Sequence, residues 1–272
     1  EMFLEYLSLY TIDGRKIKCG DRAKERKLSA IRSFYKFFYK HDLLSENVTQ
    51  KVDTPKIHDK PIIFLEKKEI SRLLEEAREG ESLSAREKAY HNLTKERDVA
   101  LLSLLLGTGM RISECVGINQ KDLDMENNAV SITRKGGNKT ILYFSSEVAD
   151  ALIDYLNWKE EQITQQTQFG KNIKDPDALF LSLQGRRINV RSAEKLVKKY
   201  AAYAAPLKKI SPHKLRSTFG TALYRETKDI YVVADILGHR DVNTTKKHYA
   251  AISDEIRKNS ANLIKLNKND DN

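Results

Sequence analysis

Apolar positions recur at helical spacing through most of the chain. In "RAKERKLSAIRSFYKFFYKHD", Leu28, Ile31, Phe34, Tyr35 and Phe38 share one arc, while Arg32, Lys36 and Lys40 repeat every fourth residue along another. "LEKKEISRLLEEAREG" predicts a second amphipathic helix, with Ile70, Leu73 and Leu74 on its apolar face and a glycine at its end. Residues 99–106 are apolar nearly all round, which predicts a deeply buried helix. Gly107 and Gly109 are expected to stop it, and "RISECV" to restart helix. One stretch changes period. "AVSITRKGGNKTILYF" reads as two short strands, Val130 and Ile132 alternating on one and Ile141 with Tyr143 and Phe144 on the other, about a "KGGNK" turn. Further helices are expected at 148–163, 190–204, 212–226, 229–237 and 244–257, with "KLNKNDDN" a frayed tail.

These patterns predict a mainly α protein with a small β-sheet, in two domains. The stretch "NVTQKVDTPKIHDKPIIF" is polar, holds two of the five prolines and interrupts the helical period. We therefore place a linker at 56–62, between a helical domain at 1–55 and a larger mixed α/β domain at 63–272. The opening "EMFLEYLSLY" reads as the inside of a helix, so the first domain is expected to be truncated at its start.

With 272 residues, 40% hydrophobic and 32% charged, the chain can bury two modest cores. It shows neither an apolar run near the roughly 20 residues that span a bilayer nor a basic-then-apolar leader, which points to a cytoplasmic protein and away from a membrane. Cys19 and Cys115, 96 positions apart, form neither a zinc-ligand pattern nor a disulfide framework; both read as reduced thiols. The formal net charge of +10 suits a polyanionic partner, and its distribution sharpens this. Between Gly14 and Lys40, ten Lys/Arg stand against Asp21 and Glu25 alone, so Arg32, Lys36 and Lys40 are candidate phosphate contacts.

The chemistry-bearing residues lie in the larger domain. In "SPHKLRSTFGT", Ser211 and Pro212 suit the N-cap and first position of a helix. His213 and Arg216 then share one face near the positive end of the helix dipole, an arrangement made for an anion. "GTGMRISE" sets Arg111 just past a glycine-interrupted buried helix. "ADILGHRDVNTTKKHYA" ends a helix at Leu237, uses Gly238 as the stop, projects His239, and restarts helix near Asn243 or Thr244 with Tyr249 upon it. Lys135 opens the hairpin turn, with Lys139 at its far end competing for the same role; Arg134 and Arg240 flank these positions as possible phosphate contacts.

Over nearly its whole length the sequence resembles the tyrosine recombinases of the integrase family. "GTGMRISE" (Arg111), "RKGGNK" (Lys135), "PHKLRSTFGT" (His213, Arg216), "LGHRDVNTT" (His239) and Tyr249 fall in the family's order. The resemblance implies a helical core-binding domain and a catalytic domain that together clamp double-stranded DNA. It implies Tyr249 as nucleophile, Arg111, His213, Arg216 and His239 around the phosphate, and Lys135 as proton donor, with neither cofactor nor metal. It also implies a tetramer on two DNA sites, linked through the C-terminal helix that carries Ile252, Ile256, Leu263 and Ile264. One spacing departs from the family. Ten residues separate His239 from Tyr249 where about nine are usual, and one more residue within a helix would turn the tyrosine by roughly 100°. The extra residue is therefore assigned to the "RDVN" loop.

The expected function is a site-specific recombinase or integrase, working through a 3′-phosphotyrosyl intermediate and a Holliday junction, in a mobile element. Two alternatives stay open: a type IB topoisomerase-like enzyme, and a sequence-specific DNA-binding protein with an inactive site.

Overall fold

The computed structural model describes residues 2–56, 62–134, 136–168, 173–238, 242 and 245. It divides into two compact units, Glu1–Lys60 and Pro61–Asn272.

The first unit opens with a short helix, α1 (Met2–Tyr6), followed by a hairpin of β1 (Tyr10–Ile12) and β2 (Arg15–Ile17). The hairpin corrects the reading of "EMFLEYLSLY" as continuous helix. Asp13 and Gly14 both take positive φ, 49° and 73°, the backbone that a two-residue turn between twisted strands demands. The long helix α2 (Asp21–Lys40) follows and buries Leu28. The rest of its expected apolar arc is more open: Ile31, Tyr35 and Phe38 are half-buried, and Phe34 is 60% exposed. Phe34 stacks against Phe38 with ring centroids 4.6 Å apart.

The second unit begins with α3 (Lys67–Glu79), where the Glu69 carboxylate accepts from the Glu66 backbone N–H at 2.7 Å and Gly80 takes the left-handed cap. A helix that periodicity does not flag, α4 (Ala85–His91), starts at Ser84, whose N–H and hydroxyl both donate to Glu87. The central helix is α5 (Lys95–Thr108), with ten of its fourteen residues buried. It packs against α3, against α7 (Ser146–Gln168) and against α9 (Pro212–Thr227), which explains a sequence apolar on every side. Gly107 does not stop α5 but lies within it, where a Cβ would stand 2.6 Å from Val148 Cγ2 of α7; Gly109 alone is the stop, at φ 62°. The other end of α5 is anchored by a buried carboxylate. Asp98 accepts from Arg97 at 2.7 and 3.0 Å, from Tyr200 Oη at 2.9 Å and from Thr94 Oγ1 at 3.2 Å. Tyr200 belongs to α8 (Val190–Ala204).

After α5 come α6 (Ile112–Gly117) and a three-stranded antiparallel sheet of β3 (Leu123–Asp124), β4 (Ala129–Thr133) and β5 (Lys139–Tyr143). Val130 faces Leu142 and Ser131 faces Ile141. Since pairing sets which face a residue shares, Leu142 joins Val130 and Ile132 in the core, while Ile141 and Tyr143 are exposed. The last elements among the described residues are α9 and α10 (Ile230–Leu237), which share a small apolar cluster of Tyr224, Val233 and Leu237. Cys115 is fully buried, and burial raises its thiol pKa far from any reactive range. No helix among the described residues is long and apolar enough to cross a membrane.

Candidate active site

Two helix ends build the site, and both end on a left-handed glycine. Gly109 caps α5 and Gly238 caps α10, at φ 62° and 61°. Neither tolerates a side chain. A Cβ at 109 would lie 2.3 Å from Phe219 Cδ1, and one at 238 only 1.8 Å from Arg134 Nη1.

Arg216 ties these ends together. It lies on α9 with 6% of its surface exposed; Nη1 donates to the Gly109 carbonyl at 2.7 Å and Nη2 donates to the Leu237 carbonyl. Both acceptors are last-turn carbonyls or their immediate successors, the negative end of a helix dipole, so the buried guanidinium finds its counter-charge in backbone. The planar fork lets one side chain span two chain segments at once. The α9 helix itself starts where the sequence places it, with Pro212 at its first position and the Ser211 carbonyl accepting from Lys214 N–H at 2.8 Å; the Ser211 hydroxyl makes no cap bond. His213 sits in the exposed first turn, one helical turn before Arg216.

Arg111 follows Gly109 by two residues and heads α6. Its backbone N–H donates to Glu114 Oε2 at 2.7 Å and its Nη1 to Glu114 Oε1 at 2.8 Å. The glutamate side chain is 5% exposed and the arginine 40%, so a buried carboxylate aims a half-exposed guanidinium. Glu114 is a site residue that the motif reading overlooked. Its signal is the spacing Arg-x-x-Glu at a helix start, where a carboxylate reaches back to the cap.

Arg134, expected to be a phosphate contact, has another partner. Its Nη2 donates to the Ile236 carbonyl at 2.7 Å and its Nη1 to that of Asp235 at 3.4 Å. With Arg216 on Leu237, two arginines cover three consecutive carbonyls at the end of α10. Arg32 is likewise committed: it donates to the carbonyls of Thr49 and Val52 and, at 2.8 Å, to Thr54 Oγ1, tethering the segment after α2. Lys36 and Lys40 on α2 and Lys139 at the start of β5 are exposed. Lys135, His239, Arg240 and Tyr249 lie outside the described residues. Of the six expected catalytic residues the structure thus places Arg111, His213 and Arg216, bringing Arg216 onto the turn that carries Arg111. Among the described residues no group of three or more His, Cys, Asp or Glu is placed to hold a metal ion.

A buried arginine bridging two helix ends, a second arginine just past one of those ends and a histidine one turn from the first form one basic cluster, a candidate anion site. The comparisons give its class. The model of the phage integrase family matches residues 63–255, and the chain belongs to that family, the tyrosine recombinases. Among its relatives it is 34% identical over 227 residues to tyrosine recombinase XerC of Caldanaerobacter subterraneus subsp. tengcongensis, covering 82% of this chain and 58% of that protein. It is 30% identical over 250 residues to tyrosine recombinase XerD of Staphylococcus epidermidis, covering 90% and 78%. The fold matches the crystal structure of XerH site-specific recombinase bound to palindromic difH substrate, with a TM-score of 0.68 at 21% identity over 96% of this chain and 71% of that one. The chain therefore spans less than two-thirds of the length of the XerC relative.

Proposed function

We propose that the protein is a site-specific DNA recombinase that cuts and rejoins strands through a covalent tyrosine intermediate. The observation that carries this reading is Arg216, held immobile between Gly109 and Leu237 on the turn that presents Arg111. A phosphodiester under attack concentrates negative charge on its non-bridging oxygens, and preorganised guanidinium groups stabilise that charge without reorganising. In the proposed reaction the Tyr249 phenol attacks phosphorus, its proton passing to His213 or water. The P–O5′ bond breaks, and its electron pair leaves on the 5′-oxygen, which takes a proton from Lys135. The products are a 3′-phosphotyrosyl enzyme and a 5′-hydroxyl; the reverse attack by a 5′-hydroxyl of another strand completes exchange. His213 and His239 donate to the same oxygens. One phosphodiester replaces another, so neither ATP nor a cofactor enters the balance.

A nicked suicide duplex tests this, because the freed 5′-fragment diffuses away and traps the intermediate. The expected result is a covalent protein–DNA band on denaturing electrophoresis; a pure DNA-binding protein gives none. Closed circular DNA separates the remaining alternative, since a topoisomerase-like enzyme relaxes supercoils as a monomer. A recombinase instead assembles four protomers on two sites through the C-terminal segment, which mass photometry of the DNA complex reads directly. Action on the nucleoid, in the cytoplasm, belongs to the same proposal. The mobile-element setting is a further proposal that the XerC and XerD relatives do not single out, and the genes flanking the coding sequence decide it.

Lys36 and Lys40 are proposed to contact the DNA backbone. The double variant Lys36→Ala/Lys40→Ala is expected to flatten the slope of log K against log salt by about 1.8, two released counterions' worth. Arg32 is left out of this variant because it serves backbone carbonyls. An unchanged slope removes this helix face from the interface.

A further inference from the structure

We infer that Arg134 is a positioning residue that fastens the hairpin carrying Lys135 to the end of α10 that leads into His239. The inference rests on the reading of Lys135 as proton donor given above.

Arg134 is held from both sides. Its backbone N–H donates to the Asn138 carbonyl at 2.8 Å, and its own carbonyl accepts from Gly137 N–H at 3.0 Å, closing the turn that begins with Lys135. Gly136 and Gly137 take φ 96° and 83° within that turn, backbone conformations that suit residues without side chains. The side chain meanwhile crosses about a hundred positions of sequence to the carbonyls of Asp235 and Ile236. Three residues after Ile236, past the Gly238 cap, comes His239. Gly238 is the residue that admits the contact, since any Cβ there would collide with the Arg134 guanidinium.

Packing alone does not account for an arginine at this place. Its Nε is buried with no hydrogen-bond partner among the described residues, which costs on the order of 1–3 kcal/mol. A methionine would fill the space without that penalty but could not bond the helix end. What the arginine adds is a link between two chain segments, one adjoining Lys135 and the other ending three residues before His239. Proton transfer falls off steeply when donor and acceptor lose hydrogen-bond reach, so a loosened hairpin should slow the protonation of the leaving oxygen specifically.

That specificity sets the test. In a 5′-bridging phosphorothiolate duplex, sulfur replaces the leaving oxygen and departs as a thiolate without needing a proton. Single-turnover cleavage of ordinary and thiolate suicide duplexes is measured for the parent protein, Arg134→Met and Lys135→Ala. Arg134→Met is expected to cleave the ordinary duplex at least tenfold more slowly and the thiolate duplex within threefold of the parent. An equal slowing on both duplexes, or none on either, overturns the inference. The Lys135→Ala arm separates the two layers: if the thiolate duplex restores this variant but not Arg134→Met, the positioning role alone fails. If it restores neither, the reading of Lys135 fails with it. Should Arg134→Met fold poorly by circular dichroism, Arg134→Lys, whose single ammonium reaches one carbonyl, is expected to show the same thiolate-sensitive defect in smaller degree.

Discussion

Tyr249→Phe, offered the nicked suicide duplex, is expected to give no covalent band while its gel-shift affinity stays within a few-fold of the parent. The variant loses one oxygen. Phosphate contacts and base contacts that hold the duplex do not pass through that oxygen, so binding persists while the nucleophile is gone. The sign of the result is clean because no neighbouring residue substitutes easily: an unperturbed phenol has a pKa near 10, and only one held beside a cationic pocket attacks at neutral pH. Tyr231 is exposed on α10, ahead of the Gly238 stop. A band of undiminished intensity in the variant would displace Tyr249 from its role and, with it, the placement of the extra residue in the "RDVN" loop.

Arg216 variants are expected to fail in two separable ways. Arg216→Ala strands the carbonyls of Gly109 and Leu237 in the interior and opens a cavity, which together cost about 3–5 kcal/mol. For a unit of this size that lowers Tm by roughly 6–20 °C. Arg216→Lys keeps the charge and most of the volume, yet one ammonium cannot span both carbonyls and present a fork to a phosphate. Its cleavage rate is expected to drop about 10²–10³-fold, the usual consequence of losing one preorganised donor, with a smaller fall in Tm. Cleavage by Arg216→Lys within tenfold of the parent would show that the bridge is scaffold only.

Much of this architecture was legible in the sequence where local pattern and tertiary demand agree. Helix α8 follows its apolar period, and α9 announces itself through Pro212. The 99–106 run of α5, apolar but for Ser103, could be read as buried because no amphipathic alternative exists for it. Failures fall where a residue answers to a distant partner. Gly107 looks like a stop from its neighbours, but Val148 on α7 decides its role. Ile141 is as apolar as its neighbour Leu142, and only the register against Ser131 turns it outward. The β1–β2 hairpin was missed although "DG" is its own signal, because the flanking strands are only three residues each and lack clean alternation.

The site divides in the same manner. Motif order singles out Arg111, His213 and Arg216 as candidates, but nothing in their spacing says that Arg216 bonds Gly109 and Leu237. Basic residues were harder to sort. Arg32, Arg134, Lys36 and Lys40 look alike in sequence as candidate phosphate contacts; only the three-dimensional neighbours show that two of them face carbonyls. A charge count overestimates a nucleic-acid interface whenever arginines double as staples for loose backbone.

The bridge at Arg216 has an evolutionary corollary. Because the same guanidinium secures two helix ends, a lineage that abandons strand cleavage still needs it to stay folded. Decay should therefore strike the tyrosine first and spare this arginine, and among distant paralogues an Arg216 kept without its tyrosine marks a scaffold that has outlived its chemistry.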